Sequence, residues 1–288
     1  MTNFAPTVCV LQQHAKLGIS PGALPLTNFS WPLGQPERLV GKCLRDLSPE
    51  DHLILHPRTT SYYRPGFGTR AKVSVMIVEC ETIHKRHIEK MHIYYKRFYK
   101  VLTVNENLLN SIANGIFFPF GSTWVPDWKK IDTSKTQNIS LIASAKRSQP
   151  GQIIRHDIID WAKQKNLPLD AIGGGYRPFE KKSEGLAPYK FSVVIENNRE
   201  INYFTEKLVD CILCGTVPIY YGAPNIDRFF DTSGMILCQS PEQIKNAINA
   251  ATPELFVQRL PFLKAIQGIA ADYGDLDGRA ARAVLGAA

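Results

Sequence analysis

Between residues 189 and 226 the chain reads YKFSVVIENNREINYFTEKLVDCILCGTVPIYYGAPNI, an apolar run followed by a dense set of polar side chains. Glu196 and Asn197 come directly after Ile195, and Tyr203, Thr205, Glu206 and Lys207 follow within a few residues. Thr205 suits the N-cap of a helix opening at Glu206. The leading amides of a helix and its partial positive charge suit a diphosphate. Lysine in a first helical turn runs against that dipole, so Lys207 reads as a cation waiting for an anionic ligand. Glu206, an acceptor-only carboxylate, can take hydrogen bonds from sugar or ribose hydroxyls, and Tyr203 offers a ring face and a hydroxyl. A plainer reading has Thr205 only capping, Glu206 favouring the dipole and Lys207 reaching into water; spacing alone does not separate the two.

The elements that must position these groups alternate. Strands are expected at 138–144, 189–195, 216–221 and 235–238, and helices at 151–166, from Thr205, and at 241–250, with a glycine turn at 173–175. That alternation predicts a parallel sheet covered on both faces, with ligands beyond the carboxyl ends of its strands. Upstream, strands are expected at 52–56, 72–79 and 100–105 and a helix at 83–98, while five prolines between 21 and 49 predict mostly loop. The polar stretch 127–138 marks the boundary, giving domains 1–130 and 131–262 and a final helix or tail, 263–288.

The segment resembles the donor-binding core of glycosyltransferase family 10, the α-1,3/1,4-fucosyltransferases. Glu196-Asn197, Tyr203, Thr205-Glu206-Lys207, Val217-Pro218-Ile219-Tyr220 and Gly222 stand in the family's order. The resemblance extends more weakly over 72–250. It implies an α/β fold of the GT-B type: two Rossmann-like domains with parallel sheets facing a central cleft. It also implies inverting transfer of a sugar, usually fucose from GDP-fucose, onto a glycan hydroxyl. By matching position, Asn197, Tyr203, Glu206 and Lys207 become donor contacts, and Arg155 the basic residue that pairs with the diphosphate. Glu206 is also carried as a catalytic residue, with Glu196 and Thr205 in support and Lys146 and Arg147 as reserve phosphate ligands.

Inverting transfer needs a carboxylate to accept the acceptor hydroxyl's proton. Glu79, expected to end the strand 72–79, is preferred over Glu81. Asp275-Leu276-Asp277 resembles a manganese-holding motif but follows no apolar strand, so neither a metal nor another cofactor is expected beyond the GDP-fucose donor. His84 and His87 read as packing or surface residues, and Cys211 and Cys214 as core, lacking a second pair at zinc spacing.

Lys and Arg number 34 against 26 Asp and Glu, favouring anionic partners. The basic residues form no nucleic-acid motif, so the expected partners are a nucleotide sugar and an oligosaccharide or glycan acceptor. A basic helix near 84–100 is read either as a solvated face or as a peripheral contact with an anionic membrane. With no charged-then-apolar leader and no spanning run, the expected location is cytoplasmic, at most peripheral to the inner membrane face. Two alternatives stay open: transfer from another nucleotide sugar, and a nucleotide- or glycan-binding module without catalysis.

Overall fold

A computed structural model describes residues 5–286. The chain folds as two compact units: residues up to Pro119 together with those from Leu276 onward, and Phe120–Asp275.

Unit 1 is built on a six-stranded sheet in the order β2-β1-β3-β4-β5-β6. Its strands are β1 (Val8–Leu11), β2 (Phe29–Ser30), β3 (His52–Leu55), β4 (Lys72–Met76), β5 (Val101–Thr103) and β6 (Gly115–Phe117). All neighbouring pairs are parallel except β1 with β2. Helices α1 (Thr59–Tyr63), α2 (Glu81–Tyr94) and α3 (Glu106–Ser111) complete the crossovers. The helix expected at 83–98 starts two residues earlier and tightens to a 3-10 turn at Tyr95–Arg97. Ile88, Met91 and Phe98 bury its apolar stripe as the periodicity requires. On the opposite face Lys85, Arg86 and Lys96 are exposed. Lys90 instead donates to the Tyr63 hydroxyl (2.6 Å), and Arg97 to the Arg64 carbonyl (2.6 Å). Among the described residues no helix is long and apolar enough to cross a membrane.

Unit 2 carries a five-stranded, all-parallel sheet in the order β11-β10-β9-β7-β8. The strands are β7 (Gln137–Ile142), β8 (Leu169–Ile172), β9 (Tyr189–Ile195), β10 (Val217–Tyr221) and β11 (Ile236–Leu237). Helices α4 (Pro150–Gln164), α5 (Glu206–Leu213), α6 (Pro241–Asn249), α7 (Pro253–Ala265) and α8 (Gln267–Gly274) surround it. Central β9 is buried along nearly its whole length, which explains its unbroken apolar run. Cys211 and Cys214 lie in the core of this unit, and all six cysteines are free thiols.

One expectation about organisation is corrected. The division falls at Pro119/Phe120, not near 130, because the 120–125 segment is tied into unit 2: Thr123 Oγ1 and Trp124 N both donate to Asp210 on α5. Of the two forms expected for 263–288, a terminal helix or a tail, the described residues take the helical one. Through α8, packed on α5, the chain stays in unit 2. It then re-enters unit 1 as α9 (Leu276–Leu285), which packs on β1 and β3. Residues 1–4 and 287–288 of the expected segments lie outside the described residues.

Candidate donor site at the carboxyl edge of the unit 2 sheet

Where β9 ends, the chain leaves the sheet as Glu196-Asn197, and the N-terminus of α4 comes down directly onto that backbone. Gly151 N donates to the Asn197 carbonyl at 3.0 Å. A Cβ at residue 151 would lie 1.7 Å from the Glu196 carbonyl oxygen, so only glycine permits the approach. One turn further along α4, buried Arg155 donates through Nε to the Ile195 carbonyl (3.0 Å) and through Nη2 to Asn197 Oδ1 (3.2 Å). It is therefore no surface charge: the guanidinium fixes the strand end and Asn197 together. Burial pulls its pKa down, against the raising influence of Glu196, Glu206 and Tyr203.

Helix α5 opens as its sequence predicts. Thr205 is the N-cap, with Oγ1 accepting from Lys207 N at 3.3 Å. The same hydroxyl donates to Glu196 Oε2 (2.7 Å), while Thr205 N donates to Glu196 Oε1 (2.8 Å). Glu196, 1% exposed, thus latches the helix start to the strand end. Lys207 Nζ donates to Thr205 Oγ1 (3.0 Å) and Glu206 Oε1 (3.2 Å), and stands 3.5 Å from Glu196 Oε2. Its pKa is raised: burial pulls it down, but Glu206 and Glu196 more than offset that. Burial acts to raise the Glu206 carboxyl, yet Lys207 and Lys182, with hydrogen bonds from Lys207 and Thr205, hold it at about 2. Glu206 is a fixed anion and acceptor.

A cavity of about 360 Å³, within the range of small-ligand sites, is lined by Lys146, Arg155, Asn197, Glu206 and Lys207. Five expected site residues therefore meet in one concavity. The others stand elsewhere. Glu196 and Thr205 lie buried outside its wall, where they hold the helix start. Tyr203, expected as a donor contact, is 1% exposed and does not line the cavity; with fully buried Phe204 it turns into the core of unit 2. Lys207 is not a lone cation: Glu196 and Glu206 both stand beside its ammonium. Arg147 is exposed and outside the cavity wall.

The largest omission from the sequence reading is Lys182. Its ammonium, 6% exposed, sits 2.8 Å from Asp210 Oδ2 and 3.8 Å from Glu206 Oε1, donates to the Glu206 carbonyl (3.3 Å), and lies 5.0 Å from the centre of the Trp124 ring. Lys182, Trp124, Gln152 and Phe179 all line the cavity. Burial pushes the Asp210 carboxyl up, against the opposing pull of Lys182 and Thr123.

In unit 1, β4 ends at Met76, so Glu79 is a half-buried loop residue three positions beyond the strand, not its last residue. The chain turns there to reach α2, whose N-cap is Cys80. Glu81 is the first residue of α2, is exposed, and accepts from Asn105 Nδ2 at 3.1 Å. Asp277 has a structural role, accepting from Ser30 Oγ at 2.8 Å in the first turn of α9. Half-buried His84 and His87 pack edge to face, ring centres 5.3 Å apart.

Residues 133–249, which carry every wall of this cavity except Trp124, match the C-terminal domain of glycosyltransferase family 10 (fucosyltransferase). A fucosyltransferase-like protein of Arabidopsis thaliana is 39% identical over 75 residues, 25% of this chain and 15% of that protein. The alpha-(1,3)-fucosyltransferase FucT of Helicobacter pylori is 31% identical over 112 residues, 37% of this chain and 23% of that protein. The matched stretches thus span less than a quarter of either relative's length. A crystal structure of an alpha1,3-fucosyltransferase with GDP covers 90% of this chain and 83% of its own, at 16% identity and a TM-score of 0.52, a likeness of fold. That fold is GT-B, which the two parallel-sheet α/β units reproduce. Over residues 133–249, then, the chain is similar to the C-terminal domain of glycosyltransferase family 10.

Proposed function

We propose that the protein is an inverting glycosyltransferase that moves a sugar, fucose from GDP-fucose, onto a hydroxyl of an oligosaccharide or other glycan. The observation that carries this reading is the convergence of Arg155, Asn197, Glu206 and Lys207 on one cavity at the start of α5. A helix N-terminus, a guanidinium and an ammonium supply positive potential for a diphosphate. The permanently ionised Glu206 accepts hydrogen bonds from the ribose. The donor's description in the matched fucosyltransferases supports fucose as the transferred sugar.

In this reading the acceptor oxygen attacks the anomeric carbon, the bond from that carbon to the β-phosphate oxygen breaks, and GDP departs. Arg155, Lys207 and the leading amides of α5 offset the charge that grows on the leaving diphosphate. The acceptor's proton passes to Glu79, at the carboxyl edge of the unit 1 sheet, with Glu81 as the alternative base. General-base catalysis of this kind contributes about 10²–10⁴-fold. Glu79→Gln should therefore lower transfer from GDP-fucose by about that factor while GDP affinity stays within twofold. Full activity in Glu79→Gln, with loss in Glu81→Gln, would move the role to Glu81; full activity in both would remove the base from this segment.

A further inference from the structure

The residues around Glu206 form a sequence in space. Arg155 Nη2 meets Asn197 Oδ1 (3.2 Å), Lys207 meets Glu206 Oε1 (3.2 Å), Glu206 Oε1 faces Lys182 (3.8 Å), and Lys182 lies beneath the Trp124 ring (5.0 Å). The Lys207 cation suits a diphosphate, Glu206 beside it is an acceptor suited to vicinal hydroxyls, and beyond Glu206 the Lys182 ammonium leads to an aromatic ring. A nucleotide presents its diphosphate, ribose and base in the same order.

We infer that Trp124 is the platform on which the donor's nucleobase stacks, which makes it the residue that sets affinity for the nucleotide moiety. The inference rests on the reading of this cavity as a nucleotide-sugar site. Trp124 is 64% exposed, so most of its ring surface is open to a ligand. It is nevertheless held from two sides. Its backbone N–H donates to both oxygens of buried Asp210 (3.1 and 3.3 Å), and neighbouring Thr123 Oγ1 donates to Oδ1 (2.6 Å). The Lys182 ammonium, itself anchored on Asp210, sits against the indole. An indole fixed in this way gives a ligand a preorganised face and loses little rotamer freedom on binding.

Much of the remaining cavity wall is apolar. Ile142, Ala143, Phe179 and Leu186 line it with Gly173. Gly173 adopts φ +109°, and a Cβ there would lie 2.5 Å from the Ala143 carbonyl oxygen, so the turn runs flat against the end of β7. Apolar side chains and bare backbone fit a planar heterocycle better than a polyhydroxyl ring, and stacking on an aromatic side chain serves any base.

Calorimetric titration of GDP, GDP-fucose and inorganic pyrophosphate into wild type, Trp124→Ala and Trp124→Phe separates the roles. The backbone contacts of residue 124 survive both substitutions, and a melting curve verifies the fold. The expected result is a loss on the order of tenfold in affinity for GDP and GDP-fucose alike in Trp124→Ala. Trp124→Phe should stay near wild type, and pyrophosphate affinity should not change. Unchanged GDP affinity in Trp124→Ala, or a loss confined to GDP-fucose, would overturn the inference and give the ring to the sugar or to nothing. An equal loss for pyrophosphate would overturn it by showing a general structural effect. Wild-type protein that melts normally yet binds none of the three would instead bring down the nucleotide-sugar reading beneath it.

Discussion

Buried Glu196 and half-buried Glu206 and Lys207 form a charge group in which each member depends on the others. Lys207 is the shared cation, 3.2 Å from Glu206 Oε1 and 3.5 Å from Glu196 Oε2. Removing one partner of such a group leaves uncompensated buried charge, an effect of about 3–5 kcal/mol. Lys207→Met should thus lower stability by on the order of 3 kcal/mol in a denaturant titration as well as weaken nucleotide binding, whereas an unchanged midpoint would mean that the ion pairs contribute only to ligand recognition. Glu206 carries a pH signature of definite sign. Its carboxyl is held at about 2 in the folded state, below the ordinary value of 4.5. Its contribution to stability is therefore complete above about pH 4.5 and is lost as pH falls toward 2. Nucleotide affinity measured between pH 5.5 and 8 should show no titration from this group; a carboxylate step inside that window would contradict its assignment as a fixed anion.

At the level of elements, the site depends on how closely three pieces of backbone approach: the end of β9, the start of α4 and the start of α5. Gly151→Ala should shift α4 off the strand end, because its Cβ would meet the Glu196 carbonyl oxygen at 1.7 Å. Overpacking of this kind costs about 1–3 kcal/mol, and Arg155, one turn on, would move with the helix. Melting and GDP titration of this variant should both worsen; a wild-type profile would show that the approach is not needed. Thr205→Ala removes the cap, worth about 1 kcal/mol, and also a hydroxyl that buried Glu196 accepts from, so its loss should exceed that of an ordinary cap; Thr205→Ser should restore it.

This is also where the sequence was most and least legible. Helix α5 could be placed because its cap, its apolar face and its terminal glycine are local signals within eleven residues. Arg155 is legible through the family resemblance, and the alternation of strand and helix brings α4 to the same sheet edge. Lys182 and Trp124 could not. Trp124 is held by Asp210, 86 residues away, and no periodicity links such distant positions. Tyr203 differs from its expected place for a related reason: its spacing from Glu206 is visible in the sequence, but its turn into the core beside Phe204 is a matter of tertiary packing. Strand β4 was extended to Glu79 because Ile77 and Val78 are apolar, and both are indeed buried, but as loop residues beyond the ladder.

Considered whole, the two units differ in how they meet acid. Burial lowers the pKa of His52, His56 and His84, all in unit 1, to about 4. Lys72 adds to this at His52, Arg58 and His14 at His56, and His87 and His56 at His84. A histidine with a lowered folded pKa stabilises above its unfolded value near 6.5 and loses that contribution as pH falls toward 4. In unit 2 the Glu206 carboxyl keeps its charge through that range. Amide exchange should therefore show unit 1 losing protection between pH 6.5 and 4 before unit 2 does; simultaneous loss would contradict independent titration. The claim on which the rest depends is that the unit 2 cavity takes a nucleotide sugar, and thermal unfolding across a panel of nucleotides tests it most directly. GDP-fucose or GDP at a hundred times its dissociation constant should stabilise the protein by about 2.7 kcal/mol, and Arg155→Met should abolish the shift. Melting that is unmoved by every nucleoside diphosphate and nucleotide sugar in the panel would contradict it.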